Sequence, residues 1–559
     1  MKNLLLTVSL LLAFLFSKAQ TVDIPEVDIN GFKGVKSILD KTTQEVIGYY
    51  TYYFSADGMK VTLMDTELTI TNEVILELAS GEIGEAVYNG SSLCFISTSY
   101  GTAYIYTVSL EGEVLGEKVM MYDHTGDALI FPSEIDSEFY LIISQKGAKK
   151  SAGYKVTKMN ESLETTWEKE YMPPKGYLSV ESAESGFDRV AVVQTVTMKK
   201  KGSKKGDTQL ICFDAENGDE LFITPLFDEV MTSKPSQMVI DEEGVITTAG
   251  EFYSGKGTNN VNSDGVFVSK IDASGEELLQ NRMTWKEGIQ KQMKRGKFST
   301  MGTNKVLFHD LVRSEDGGYQ LVGETFSKKI TLGESNKLAM VAALAGQDAL
   351  ADGLSTVGAA VNLKNFIIAM STGRYIGLAM VDHAPTIMTV QDMLVLDFDE
   401  ELELQAVTKI DKPYTKVYAY PPHRYTAGLR LSKMVAAAGF FDYSFTKTNN
   451  DTGEQILVYS AMNSKIPHIG ITNIEKGADV TPKKLEFDNL QQYATGAGKE
   501  NEESEGEEDS KDSEESDNSL KISNGGVTKA NEGKVLVYYV EKEKKATKGT
   551  LKMWFESLD

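Results

Sequence analysis

The chain has 559 residues, with 57 Lys+Arg against 81 Asp+Glu and a formal net charge of −24. That balance excludes a general nucleic-acid binder, which needs a basic face to displace counterions from phosphates. Two cysteines and five histidines exclude a disulfide-stapled scaffold and a Cys-rich zinc framework, while 41% hydrophobic and 25% charged residues are ordinary for a folded, water-soluble chain.

Residues 1–19 read as a secretory signal peptide. Lys2 supplies the positive start, and the apolar run Leu4 to Phe16 is too short to span a bilayer as a helix. Ser17-Lys18-Ala19 places small residues at −3 and −1, which predicts cleavage before Gln20. No Cys follows to suggest a lipid anchor. Later apolar stretches are broken by Asp348, Asp352, Lys364 and Arg374, so no transmembrane segment is expected after cleavage. The expectation is an exported protein: periplasmic, cell-surface or secreted.

From residue 20 to 559 a strand pattern recurs roughly every 40–55 residues, the length of a four-stranded propeller blade. Its clearest copies include Met59-Lys-Val-Thr-Leu-Met-Asp65, Ala103-Tyr-Ile-Tyr-Thr-Val108, Gln209-Leu-Ile-Cys-Phe-Asp214 and Gly265-Val-Phe-Val-Ser-Lys-Ile-Asp272. Each has a preceding partner run, such as Val190-Ala-Val-Val-Gln194 or Val535-Leu-Val-Tyr-Tyr539, and short polar turns follow, as in Asp272-Ala-Ser-Gly275. Cys94 and Cys212 sit within such runs and read as buried free thiols.

Two units, Asp241 to Gly250 with Asp264 to Asp272, and Asp316-Gly-Gly-Tyr-Gln-Leu-Val-Gly-Glu324, resemble repeats of secreted bacterial β-propellers. The whole chain is similar to an uncharacterised exported propeller family, which implies a fold and no activity. The fold expected is therefore all-β, a β-propeller of about eight blades with a helical insertion on one face. A seven-bladed ring or two smaller β domains are the competing counts. The last unit lacks an outer strand, and Val22-Asp-Ile-Pro-Glu-Val-Asp-Ile29 is the segment expected to supply it and remove an open edge.

Strand direction sorts the long segments. Those at Lys199–Lys205, Tyr253–Ser263, 329–391, Trp285–Thr303, 412–435 and Asn489–Gly533 all emerge on one face, where rigid repeat scaffolds acquire function. The largest, 329–391, has partly helical composition. The acidic segment 498–518 is too polar and too charged to bury a core and reads as disordered. Within 412–435, Tyr414, Tyr418, Tyr420, His423, Arg424 and Tyr425 interleave rings, prolines and cations, a composition suited to stacking on a sugar or a peptide. These are the candidate binding residues.

No HExxH, GxSxG, P-loop or CxxC spacing occurs, so no catalytic residue, metal site or cofactor is assigned. The leading expectation is a non-catalytic exported propeller presenting its insertion-rich face to a protein or glycan partner. The alternatives are a carbohydrate-active enzyme, hydrolase or lyase, with a site in the funnel, and a structural subunit of an envelope assembly. Two carboxylates meeting an Arg or Tyr in the funnel would favour the enzyme.

Overall fold

The computed structural model describes residues 21–292, 305–330, 386–419, 441–484 and 520–558, with short breaks at loops inside these spans. The leader, most of the expected helical insertion, the later part of 412–435 and the acidic segment lie outside the described residues.

Hydrogen bonding sorts the strands into seven sheets, one of them eight-stranded. That sheet is two four-stranded units joined by a brief parallel contact, Ser151–Gly176 and Ala152–Tyr177, so the repeat count is eight. Seven blades run in chain order over 35–76, 82–121, 128–171, 176–225, 231–284, 305–410 and 443–484; blade eight combines 520–557 with Val22–Asp28. The first strand of a blade lies innermost and packs on the first strand of the next. Contacts run from Val87–Tyr88 through Ala128–Pro132, Gly176–Gly186 and Met231–Ile240 to Lys305–Arg313, then from Tyr443–Thr448 through Leu520–Lys529 to Val35–Leu39. Tyr443 Oη donates to Asp310 Oδ2 at 2.9 Å across the sixth junction, and Tyr88 packs with the cluster of Ile38 across the first. The described residues form an eight-bladed β-propeller.

Its core is divided among the seams between blades. In strand Arg189–Thr197, Val190 and Val192 join the cluster shared with blade three, while Ala191 and Val193 join that shared with blade five. Successive side chains of a strand point to opposite faces, so a strand covered on both faces reads as an unbroken apolar run. This is why Val190 to Val193 carries no alternation. Cys94 and Cys212 are free and buried within the same layers.

The turn between third and fourth strands docks each blade on its predecessor. Its first residue is usually Asp, whose side chain accepts backbone N–H groups: Asp65 from Glu67 and Thr69 at 2.9 and 2.8 Å, Asp272 from Ser274 and Glu276 at 2.8 and 2.9 Å. Its fourth residue needs a left-handed backbone. Gly275 supplies it at φ 90°, and Gly218 does so one residue later in a longer turn at 74°, but Leu68, Leu163 and Leu402 adopt it at 64°, 60° and 64°. At Gly218 and Gly275 an aromatic ring of the preceding blade fills the space: a Cβ on Gly218 would meet Trp167 at 2.6 Å and one on Gly275 Phe222 at 2.5 Å. Where leucine stands, its own buried side chain enters the seam, and that burial offsets about 1–2 kcal/mol of left-handed strain.

The ring closes as expected from Val22 to Ile29. Strand Val22–Asp28 pairs antiparallel with Lys548–Ser557, from Val22↔Met553 to Asp28↔Lys548. Ile24 and Val27 enter the seam with Leu536, Leu551 and Met553. Asn531 then bridges to blade one, accepting from Val46 N at 2.7 Å and donating to Val46 O at 2.6 Å.

Candidate functional site

Blade six departs from the common plan at its rim. Strand Thr386–Phe398 has 13 residues; its lower part pairs with Leu404–Ile410 and its upper part with Thr415–Ala419. The other edge of the upper part pairs with Phe326–Ile330, so a three-stranded ribbon rises where residues 331–385 leave the blade. This corrects two expected boundaries. Lys329–Ile330 and Thr386–Gln391 belong to strands rather than to the insertion, and the connection 412–435 begins with a strand, because the ladder continues past the body of the blade.

A buried ionic cluster anchors this ribbon. Lys412 Nζ lies 3.1 Å from Glu324 Oε1 and also bonds Asp442 Oδ2; all three side chains are essentially sealed from solvent. The N–H groups of Asp442 and Tyr443 donate to Glu324 Oε2 at 3.1 and 3.2 Å, and His309 Nε2 stands 3.0 Å from the same oxygen. Thr415 Oγ1 donates to Asp442 Oδ1 at 2.9 Å. The His309 ring stacks on Tyr443 at 5.0 Å. Burial opposes charge on Glu324, but Lys412 and then His309 hold its carboxyl below the usual range. Burial, with the neighbouring Glu324 charge, raises Asp442 against the pull of Lys412. Lys412, although buried, is held above the usual lysine range by both acids.

The candidate binding residues are placed unevenly. Tyr414 is 45% exposed beside the anchored root. Tyr418 lies in the ribbon opposite Ile387. Tyr420, His423, Arg424 and Tyr425 lie outside the described residues. Sequence reasoning missed Glu324, Lys412, Asp442 and His309. One signal was present: Val322, Glu324 and Phe326 share a strand face, so an acid stood at a core position.

The innermost strands carry a second group. Glu184, on the first strand of blade four, is half-buried. Desolvation, opposed by the N–H of Ser185 and reinforced by Glu134 and Asp310, pushes its carboxyl up to about 7. Burial also raises Asp310, against the hydrogen bond from Tyr443. On the first strands of blades seven and eight burial lowers Lys447 and Lys529, and the charge of Lys447 adds to the effect on Lys529. The raised acids thus stand on blades four and six, and the lowered lysines on blades seven and eight. Among the described residues no group of three or more His, Cys, Asp or Glu is arranged to hold a metal ion, and no helix is long and apolar enough to cross a membrane.

No curated protein matches the chain. Among solved structures it is similar to a europium-containing methanol dehydrogenase, at 10% identity and TM-score 0.38, covering 84% of this chain and 81% of that one. It is similar to the WD40 domain of SCAP from fission yeast at 7% identity and TM-score 0.32, covering 97% and 88%. The polysaccharide lyase Uly1 aligns at 10% identity and TM-score 0.34, covering 97% and 100%. The family of unknown function DUF6770 matches residues 1–357 and 349–473, and the chain, an eight-bladed propeller with an ion-anchored ribbon on one rim, belongs to that family.

Proposed function

We propose that the protein is an exported propeller scaffold that presents the rim of blade six, with the segments rooted there, to a protein or glycan partner. The observation that carries this reading is the Glu324–Lys412–Asp442 cluster. A buried ion triad is a poor source of stability but a strict positional constraint, and this one fixes the base from which residues 331–385 and 420–440 depart. Tyr414 stands exposed beside it, a rigid ring of low entropy cost. Export rests on the leader-like residues 1–19. The test has two parts. Fractionation should find the chain outside the cytoplasm with Gln20 as its first residue. Tyr414→Ala combined with Tyr418→Ala should weaken capture of an envelope partner by about 1–3 kcal/mol, as for interface anchors, with the fold retained. Unchanged capture by that double variant overturns the assignment of the rim.

One observation favours a second reading, a carbohydrate-active enzyme acting in the funnel. Glu184 and Asp310 are two carboxyls raised by burial, the charge of Asp310 adds to the rise of Glu184, and Tyr443 donates to Asp310; a pair of interacting acids is the equipment of glycoside cleavage. Glycan cleavage abolished by both Glu184→Gln and Asp310→Asn would replace the scaffold reading.

A further inference from the structure

The face opposite the ribbon carries a pocket that the rim reading does not use. It opens where the turns between first and second strands of blades three and four meet the end of strand Met231–Ile240. Its volume is about 320 Å³, and Glu134, Ile135, Glu184, Phe187, Met238 and Ile240 form its walls. We propose that this pocket is a docking site for a lysine or arginine side chain of a partner peptide.

Charge and shape argue together. Glu134 and Glu184 are the charged groups of the lining, and both are acidic. A carboxylate drawn out of water against apolar walls is costly unless a cation joins it. Ile135, Met238 and Ile240 offer a surface for the aliphatic stem that lysine and arginine carry behind their charge. The volume is at the low end of ligand pockets, roughly 300–1,000 Å³, which suits one long side chain rather than an extended sugar chain.

The rim of the pocket is held open at a conformational cost. Phe187 has φ 49° and remains 41% exposed, so an aromatic residue sits in a left-handed turn without gaining burial. Gly186 permits this by close approach, since a Cβ there would meet the Ile240 Cβ at 2.5 Å. Arg189 fixes the far side of the turn, donating from Nη1 to Ala273 O at 2.8 Å. A ring so placed is available to the incoming cation or its stem at the pocket mouth.

Binding also has a protonic signature. Glu184 is faced by Glu134, Asp310 and the N–H of Ser185, while strand Met231–Ile240 offers it only the uncharged Met238, Val239 and Ile240. A cation arriving beside Glu184 drives its proton off near pH 6.5, whereas a neutral ligand leaves the proton in place.

The test is calorimetric titration of the mature full chain at pH 6.5 with two capped tripeptides, Leu-Lys-Leu and its norleucine counterpart. Two buffers of different ionisation enthalpy report the proton. The lysine peptide should bind at least ten-fold tighter than the norleucine peptide and release a proton. Glu184→Gln should weaken it at least ten-fold and abolish that release, and Glu216→Gln, in a remote turn, should change neither. Phe187→Gly should weaken binding without lowering Tm, because glycine accepts the left-handed turn. Equal binding of the two peptides, no binding of the lysine peptide, or lysine binding untouched by Glu184→Gln overturns the proposal. So does capture of a neutral oligosaccharide that Glu184→Gln abolishes, which assigns the pocket to a glycan. If Phe187→Gly lowers Tm, the ring is structural and Glu184→Gln alone decides. Neither result depends on the rim, so failure here and failure of the scaffold reading are separate events.

Discussion

Two seams of the ring are made by opposite means. At the closure of the ring, chain segments 522 residues apart complete blade eight, where Ile24, Val27, Leu551 and Met553 join Val35, Val46 and Tyr49 of blade one in a single apolar layer, and the ion pairs Asp23–Lys552 and Glu26–Lys548 lie outside it. Between blades six and seven, a continuous stretch of chain carries Lys412 and Asp442 into contact with Glu324 beneath the surface. Apolar burial is non-directional and suits a joint that has only to stay shut. Buried ions fix relative position to within a hydrogen bond, which suits the base of an elaborated rim.

The largest expected effect breaks the apolar seam outright. Deleting 21–28 removes two fully buried aliphatic side chains and a strand ladder, a loss on the order of 5 kcal/mol or more. It also leaves Lys548–Ser557 as an open edge. Melting and light scattering should show a lower Tm and aggregation; an unchanged, monodisperse variant would refute closure by this strand.

Next in size is the ionic seam. Lys412→Ala strands two buried carboxylates and should cost about 3–5 kcal/mol in denaturant unfolding. The joint change Glu324→Gln, Lys412→Met, Asp442→Asn should cost far less, or stabilise, while loosening the ribbon as read by proteolysis at 331–385. If the joint variant is as unstable as the single one, the triad is a stability element and not a positional one.

Glu184 sharpens the contrast between a paired and an unpaired acid. Its folded pKa of about 7 exceeds the ordinary 4.5. The native state therefore holds a proton that the unfolded state has released between those values. Stability should be full below pH 4.5 and fall as pH rises through 7. Glu184→Gln should remove that slope and gain about 1–3 kcal/mol at pH 8, allowing for its partial exposure. A slope that survives the substitution would assign it to another group.

The smallest effect is reserved for the surface pairs of the apolar seam. Lys552→Ala, which breaks a 2.9 Å pair with a half-exposed Asp23, should cost under about 1 kcal/mol, and less at high salt. A loss approaching that of Lys412→Ala would erase the distinction between the two seams.

How much of this was legible follows from the range of each signal. The blades were readable because their pattern is local: Val190 to Val193 announces a strand covered on both faces, and Asp272 to Gly275 announces its turn. The closing strand was readable because the last unit lacked its outer strand and an alternating segment stood free at the other end. Leu68, Leu163 and Leu402 were not readable as turn residues, since leucine at positive φ makes sense only with the preceding blade beside it. The ion triad was illegible for the same reason. Glu324 shows only as an acid on a core face, and Lys412 and Asp442 are ordinary charges until three segments distant in sequence converge. The pocket needed still more, because Glu134, Phe187 and Ile240 come from three blades.

The closing strand also imposes an order in time. Val22–Asp28 is synthesised well ahead of its partner Lys548–Ser557, with 522 residues between Glu26 and Lys548. At about 5–20 residues per second, roughly half a minute to nearly two minutes separate the two. Throughout that interval blades can form one by one from hairpins already complete, but the circle cannot shut, and two hydrophobic edges stay open to water. The final pairing is then a long-range search with the slow kinetics of high contact order. A nascent chain of this design has most need of protection just before its closing partner strand emerges.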